Sequence, residues 1–111
     1  MLPIEIESER QAMWRARQTG NEGRARVCAR RAAGQALRQR YGAGREPGNA
    51  YTWLQWASSA GEVPEAVRRA AQRLAARVLP GGRPAYDDDP LADAELILRL
   101  CTPDARPDGA G

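Results

Sequence analysis

The sequence predicts an all-α protein, an antiparallel bundle of four to five helices. Three observations carry that prediction. Apolar residues recur at three- and four-residue steps along most of the chain. Helix-capping residues and Gly or Pro stops separate those stretches. No stretch alternates apolar and polar residues as a half-buried strand would. With 111 residues, the chain is expected to form one domain. The bundle is assigned to residues 1–103, and residues 104–111, polar and Gly-rich, read as a flexible tail.

The first helix is expected from Glu9 to Thr19. Ser8-Glu9-Arg10-Gln11 has the form of a capping box, with the Ser hydroxyl accepting a first-turn amide and Gln11 reaching back. Gly20 suits the left-handed backbone that often ends a helix. Asn21 caps a second helix running to Tyr41. On a wheel of about 100° per residue, Ala25, Cys28, Ala29, Ala32, Ala33, Ala36, Leu37 and Tyr41 fill one broad arc. Such small side chains let neighbouring helices approach closely, so this helix is expected at the bundle centre. Arg24, Arg31 and Arg38 fall together on the opposite face. Arg26, Arg30 and Arg40 lie toward the apolar side and must snorkel, pair with an acid, or line a groove.

Gly42 to Gly48 reads as a loop. Asn49 caps a short third helix, Ala50 to Ala60, with Tyr51 or Trp53, Leu54 and Ala57 facing the core and Gly61 as its stop. Pro64 suits the first turn of a fourth helix, whose stripe is Val63, Val67, Ala70, Ala71, Leu74 and Val78. Pro80-Gly81-Gly82 ends it. In the last helix Asp89 is the expected N-cap and Pro90 the first residue. Leu91, Ala94, Ile97, Leu98 and Cys101 share one face. Leu96 and Leu100 lie off that face, which points to a homodimer interface on that side or on the small-residue face of the second helix.

Composition removes several chemistries. The chain has no His, hence no His general base, no Ser-His-Asp triad and no His-ligated metal. All 17 basic residues are Arg, so Gly42-x-Gly44 and Gly81-Gly82 lack a P-loop Lys, and neither follows a strand. Two distant Cys do not make a zinc site; Cys28 and Cys101 each read as a small buried hydrophobe. The Asp87-Asp88-Asp89 run fits helix capping better than cation binding. Neither a metal nor a cofactor is expected, and no catalytic residue is assigned. No apolar run approaches the ~20 residues of a membrane span, and Met1–Glu9 lacks the basic start of a signal peptide. The expected location is cytoplasmic.

Charge is unevenly spread. Residues 8–45 hold ten Arg and two acids, whereas residues 46–111 hold seven Arg and ten acids. A basic half points to an acidic partner. Arg24, Arg31, Arg38, Arg26 and Arg30 are the candidate contacts for an anion, a nucleic acid or a partner protein. Solvated helix faces are the competing reading. Tyr51, Trp53, Trp56 and Arg45 could stack bases, but packing in a small core is favoured.

The segment Arg26-Val27-Cys28-Ala29-Arg30-Arg31-Ala32-Ala33-Gly34-Gln35-Ala36-Leu37 resembles the second helix of HEPN (higher eukaryotes and prokaryotes nucleotide-binding) domains. Ala50-Tyr51-Thr52-Trp53-Leu54 is similar to that family's short third helix. Glu62-Val63-Pro64-Glu65 and a Pro- and Asp-rich loop with Tyr86 extend the likeness over residues 8–101. The resemblance implies a dimer, and in some members a nucleotidyltransferase-like partner. It also implies, for many members, a ribonuclease that pairs an Arg with a His four to six residues later. This chain has no such His, and Tyr51 stands where many members carry one. The expected function is therefore a non-catalytic, dimeric binding or regulatory module with weak nucleic-acid affinity at most. The alternatives are an RNA- or nucleotide-acting, toxin–antitoxin-like protein that works through Arg, and a plain structural subunit.

Overall fold

The computed structural model describes residues 2–45, 48–76 and 89–102. They form five α-helices: α1 (Ile4–Gln18), α2 (Glu22–Tyr41), α3 (Ala50–Ala57), α4 (Glu65–Ala75) and α5 (Pro90–Cys101). No strand occurs among the described residues. The structure is thus all-helical, with one hydrophobic cluster drawn from every helix.

Helix α1 begins earlier than the capping box predicts. Ile6, Met13 and Ala16 are its buried stripe, and Ile6 lies before Ser8. Burying Ile6 therefore extends the helix through the Ser8 position. Pro3 precedes the first turn, where the acids Glu5 and Glu7 meet the positive helix end. Ser8 sits inside the helix, and Gln11 donates to Glu7 Oε2 at 3.1 Å instead of reaching back. The other end follows the expectation. Gly20 has φ +80°; its N–H donates to the Arg17 carbonyl and that of Asn21 to the Ala16 carbonyl. This pair of bonds closes a Schellman motif. Asn21 then caps α2, its Oδ1 accepting from the Arg24 amide at 3.1 Å.

Helix α2 is central: it touches α1, α3, α4 and α5. Ala25, Cys28, Ala29, Ala32, Ala33, Ala36 and Leu37 are all fully buried, and Tyr41 is half-buried. Gly34 marks a close approach to α3. A Cβ placed there would lie 2.6 Å from Ala50 Cα, at the first residue of α3.

Helix α3 is shorter than predicted. It stops at Ala57, before Gly61, with Ser58 as its C-cap, whose hydroxyl donates to the Gln55 carbonyl at 2.7 Å. Trp53, Leu54 and Ala57 are its buried residues, and Tyr51 is exposed. In α4, Pro64 precedes the first helical residue, and Val63, Val67, Ala70, Ala71 and Leu74 are buried as the stripe requires. Helix α4 ends at Ala75, with Ala76 already extended at ψ 141°, so it stops before Val78 and the expected Pro80–Gly82 stop; residues 77–88, with Tyr86, Asp87 and Asp88, and the tail from residue 103 lie outside the described residues. Asp89 caps α5, accepting from the Leu91 amide at 3.0 Å, and Pro90 is the first residue of the helix.

Gly34→Ala tests the contact between α2 and α3. Ala favours a helix interior over Gly by about 1 kcal/mol. The added methyl meets backbone rather than a movable side chain, and overpacking of that kind costs roughly 1–3 kcal/mol. Packing is expected to win: the urea midpoint falls while the slope of the transition is unchanged. A midpoint that rises would show that α3 can move aside.

Candidate functional site

Two groups of arginines stand out among the described residues. The first group is held by other parts of the fold. Arg10 Nε donates to Glu95 Oε2 at 2.7 Å, and Trp14 Nε1 donates to the same oxygen, also at 2.7 Å. Arg17 spans Glu22 and Asp89, meeting Asp89 with two bonds of 2.8 and 2.9 Å. That guanidinium holds the Asp89 carboxyl below the usual carboxylate range, more strongly than burial raises it. Arg73 contacts both oxygens of the buried Asp93, at 2.7 to 3.1 Å. Arg45 pairs with Glu62 at 2.7 Å, and Arg69 with Glu65 at 2.6 Å.

Two arginines bind carbonyls instead of acids. Arg30 Nε donates to the Leu74 carbonyl at 2.7 Å and its Nη2 to the Ala76 carbonyl at 2.9 Å. These oxygens belong to the C-terminal end of α4, where helical carbonyls lack partners. Arg30 thus pairs with no acid among the described residues; it closes α4 against α2. Burial and the neighbouring Arg26 charge lower its pKa. Arg68 similarly donates to the Val63 carbonyl at 2.6 Å. Arg40 lies over the Tyr41 ring, 5.2 Å from its centroid, and Arg26 is half-buried.

The second group is the row on α2. Arg24, Arg31 and Arg38 are all exposed, and none of them forms an ion pair among the described residues. Val27 is 42 % exposed and falls at the edge of this arc, about 20° beyond Arg38 at about 100° per residue.

A groove of about 310 Å³ opens on this face. Arg31, Gln35 and Arg38 belong to α2; Glu9 lines it from α1, and Asn49, Ala50 and Trp53 from the start of α3. It adjoins a second hollow through shared residues Gln35 and Arg38. Two of these lining residues each carry a buried side-chain atom without a hydrogen-bond partner, Gln35 Oε1 and Trp53 Nε1, an exception to the usual pairing of buried polar groups; Trp53 also lines a separate hollow with Gly44, Arg45, Thr52 and Trp56. The sequence reading did not single out Gln35, and it weighed Trp53 only as a stacking or core residue. Gln35 could have been found, because the wheel places it beside Arg24 and Arg31. The unpaired state of the Trp53 indole depends on packing that no local pattern shows.

The aromatic cluster is mainly core, as favoured. Trp53 is 5 % exposed and meets Trp56 edge-on at 5.6 Å; Trp56 lies 5.5 Å from Tyr41. Arg45 covers Trp56, 4.6 Å from the ring centroid. Tyr51 stands apart, accepting from Gln55 Nε2 at 2.6 Å. In α5, Leu96 is half-buried against the core, whereas Leu100 is 48 % exposed. No cluster of potential metal ligands occurs among the described residues, and no helix among them is long and apolar enough to cross a membrane.

Both cysteines are buried and free. Cys101 interacts electrostatically with Arg40 and Tyr41 at the far end of α2, while Cys28 lies beside Glu9 of α1. Cys28 and Tyr41 are about 20 Å apart along the helix, whereas a disulfide needs Cα atoms within about 7 Å. Burial pushes the Cys101 thiol up to about 11 and raises Cys28 as well. Since the thiolate is the reactive form, neither should react with Ellman's reagent at pH 8 until denaturant is added. Rapid labelling of the native protein would contradict this burial.

Comparison with protein-family models, with curated proteins and with solved structures finds no match to this chain; the functional reading therefore rests on the site itself.

Proposed function

We propose that this chain is a non-catalytic binding module, a HEPN-like antiparallel bundle that presents the α2 arginine face to an acidic partner protein. One observation carries the reading: Arg24, Arg31 and Arg38 stand exposed in one row without ion pairs among the described residues, whereas five other arginines are matched to acids and the exposed Arg15 and Arg99 stand singly on other helices. Val27 favours a protein over a nucleic acid. An exposed apolar side chain beside a row of Arg suits an interface that mixes apolar and charged contacts. A nucleotidyltransferase-like protein is the partner class that the family resemblance implies.

Arginine also limits what the face does. Guanidinium stays protonated near neutrality, so it holds an anion well and accepts a proton poorly. This supports binding over ribonuclease action.

The test compares poly-L-glutamate with a single-stranded RNA oligomer across a salt series. Poly-L-glutamate should bind, and the triple Arg24→Ala, Arg31→Ala, Arg38→Ala variant should lose that binding. RNA should bind weakly at physiological ionic strength, with a salt slope that falls by about one unit for each contacting Arg removed. Polyanion binding that is indifferent to all three substitutions would overturn the reading. Submicromolar RNA binding lost in the triple variant would replace the protein partner with RNA.

The same proposal includes a homodimer through the outer side of α5, where Leu100 is exposed beside Leu96. Sedimentation at micromolar concentration should give a dimer, and Leu100→Glu a folded monomer. A monomeric parent protein would reject this interface.

A further inference from the structure

We infer that the groove beside α2 takes a helical segment of mixed charge from the partner protein, with its acids toward α2 and its bases toward α1. The inference rests on the reading of the α2 face as a binding surface, and it names what that surface selects. Two hollows meet on this face through Gln35 and Arg38. One holds Glu9 of α1 together with Arg31 and Arg38 of α2. The other holds Glu5 of α1 together with Arg38. The two hollows thus form one continuous trough, with carboxylates on the α1 side and guanidinium groups on the α2 side.

These opposite charges do not meet. Glu5, Glu9, Arg31 and Arg38 form no ion pair among the described residues. Elsewhere, arginines and acids facing each other between helices close into pairs: Arg10 with Glu95, Arg17 with Asp89 and Arg73 with Asp93. The trough differs from those boundaries, and both of its charged sides remain available to an incoming group. Glu5, Arg31 and Arg38 are exposed, and Glu9 is half-buried.

Charge complementarity then selects the occupant. A purely acidic segment satisfies the α2 side and is repelled by Glu5 and Glu9. A nucleic-acid strand, whose charges are all negative, meets the same repulsion. A purely basic segment fails on the α2 side. A segment with both signs satisfies both sides, and complementary potentials of this kind give specificity more than raw affinity. Spacing indicates the form of that segment. Arg24, Arg31 and Arg38 recur every seven residues, about 10.5 Å along the axis. A helix repeats that distance at each seventh residue of its own. Residues on one face of a strand recur at multiples of about 6.6 Å, which does not match. The segment is therefore a helix laid along the trough.

Two Ala-based helical peptides of equal length test the inference by fluorescence anisotropy at physiological ionic strength. Both carry Glu at every seventh position. Four residues after each Glu, one peptide carries Lys and the other a second Glu, so that the two columns lie side by side. Each peptide is compared with itself across protein variants, which cancels any difference in peptide helicity. Glu5→Gln and Glu9→Gln should each weaken the mixed-charge peptide roughly two- to fivefold and strengthen the all-Glu peptide by a similar factor, the scale of an exposed ion pair. Arg31→Ala and Arg38→Ala should weaken both peptides. Glu65→Gln, on α4 and outside the trough, makes the same change in net charge and should leave both affinities unaltered.

The opposite signs are the decisive result. Shifts of the same sign on both peptides would show that the α1 acids act only through net charge, and would overturn the inference. Equal shifts from Glu65→Gln would overturn it for the same reason. Proline in the middle of the mixed-charge peptide keeps the charges and breaks the helix; undiminished binding of that peptide would overturn the helical form. If neither peptide responds to Glu5→Gln or Glu9→Gln while poly-L-glutamate binding still depends on the α2 row, this inference falls and the proposed function stands. If poly-L-glutamate also fails to bind, both fall.

Discussion

Four helices lie against α2, and its small side chains make that possible. The approach at Gly34 is close enough that one methyl group would meet the α3 backbone. Ala25, Ala29, Ala32, Ala33 and Ala36 are fully buried, so α2 gives its neighbours proximity rather than bulk. The bulk comes from the surrounding helices: Met13, Leu54, Val67, Leu74, Leu91 and Ile97. Dense interiors need this alternation of small and large residues across facing helices. The arrangement also decides where function can sit. With the Ala face turned inward, the opposite face with Arg24, Arg31 and Arg38 is left exposed.

Polar contacts then fix the outer helices on this centre, and their strengths differ. The exposed pairs, such as Arg69 with Glu65, contribute about 0–1 kcal/mol each. Asp93 is 6 % exposed and is held by Arg73 of α4. Loss of one partner there leaves a desolvated charge behind, so this pair sets how α4 meets α5 more firmly than the surface pairs do. Arg30 acts in a third way, with two N–H groups on the last carbonyls of α4. An Arg in that role is a structural cap, which separates it from the row beside it on the same helix.

Much of this was legible in the sequence, for identifiable reasons. The Asn21, Asn49 and Asp89 caps are local, because each side chain bonds an amide two or three residues ahead. The α2 and α4 stripes are local too, since burial follows the helical period. The errors arose where local signals met tertiary burial. Ser8 and Gln11 have the capping-box form, but Ile6 is buried, and that carries α1 past them. Gly61 looks like a stop, but Ser58 ends α3 first. Within the site, the Arg row was legible from the wheel. The groove was not, because it requires Glu9, Gln35 and Trp53 from three different helices.

Arginine alone, without lysine or histidine, gives this surface a particular character. A lysine ammonium is a strongly hydrated point charge, whereas guanidinium is planar and offers a fixed fork of donors. Where an acid is near, the fork is used in full, as in the paired bonds from Arg17 to Asp89. Arg24, Arg31 and Arg38 carry the same fork with no acid paired to it among the described residues. Keeping three like charges on one helix face is unfavourable unless solvent or a ligand compensates them, since like charges near one another on a helix repel. Solvent alone explains Arg24, which lies outside the groove. Arg31 and Arg38 differ from it only in lining a common groove, so compensation there falls to the solvent that fills the groove or to whatever acidic group enters it.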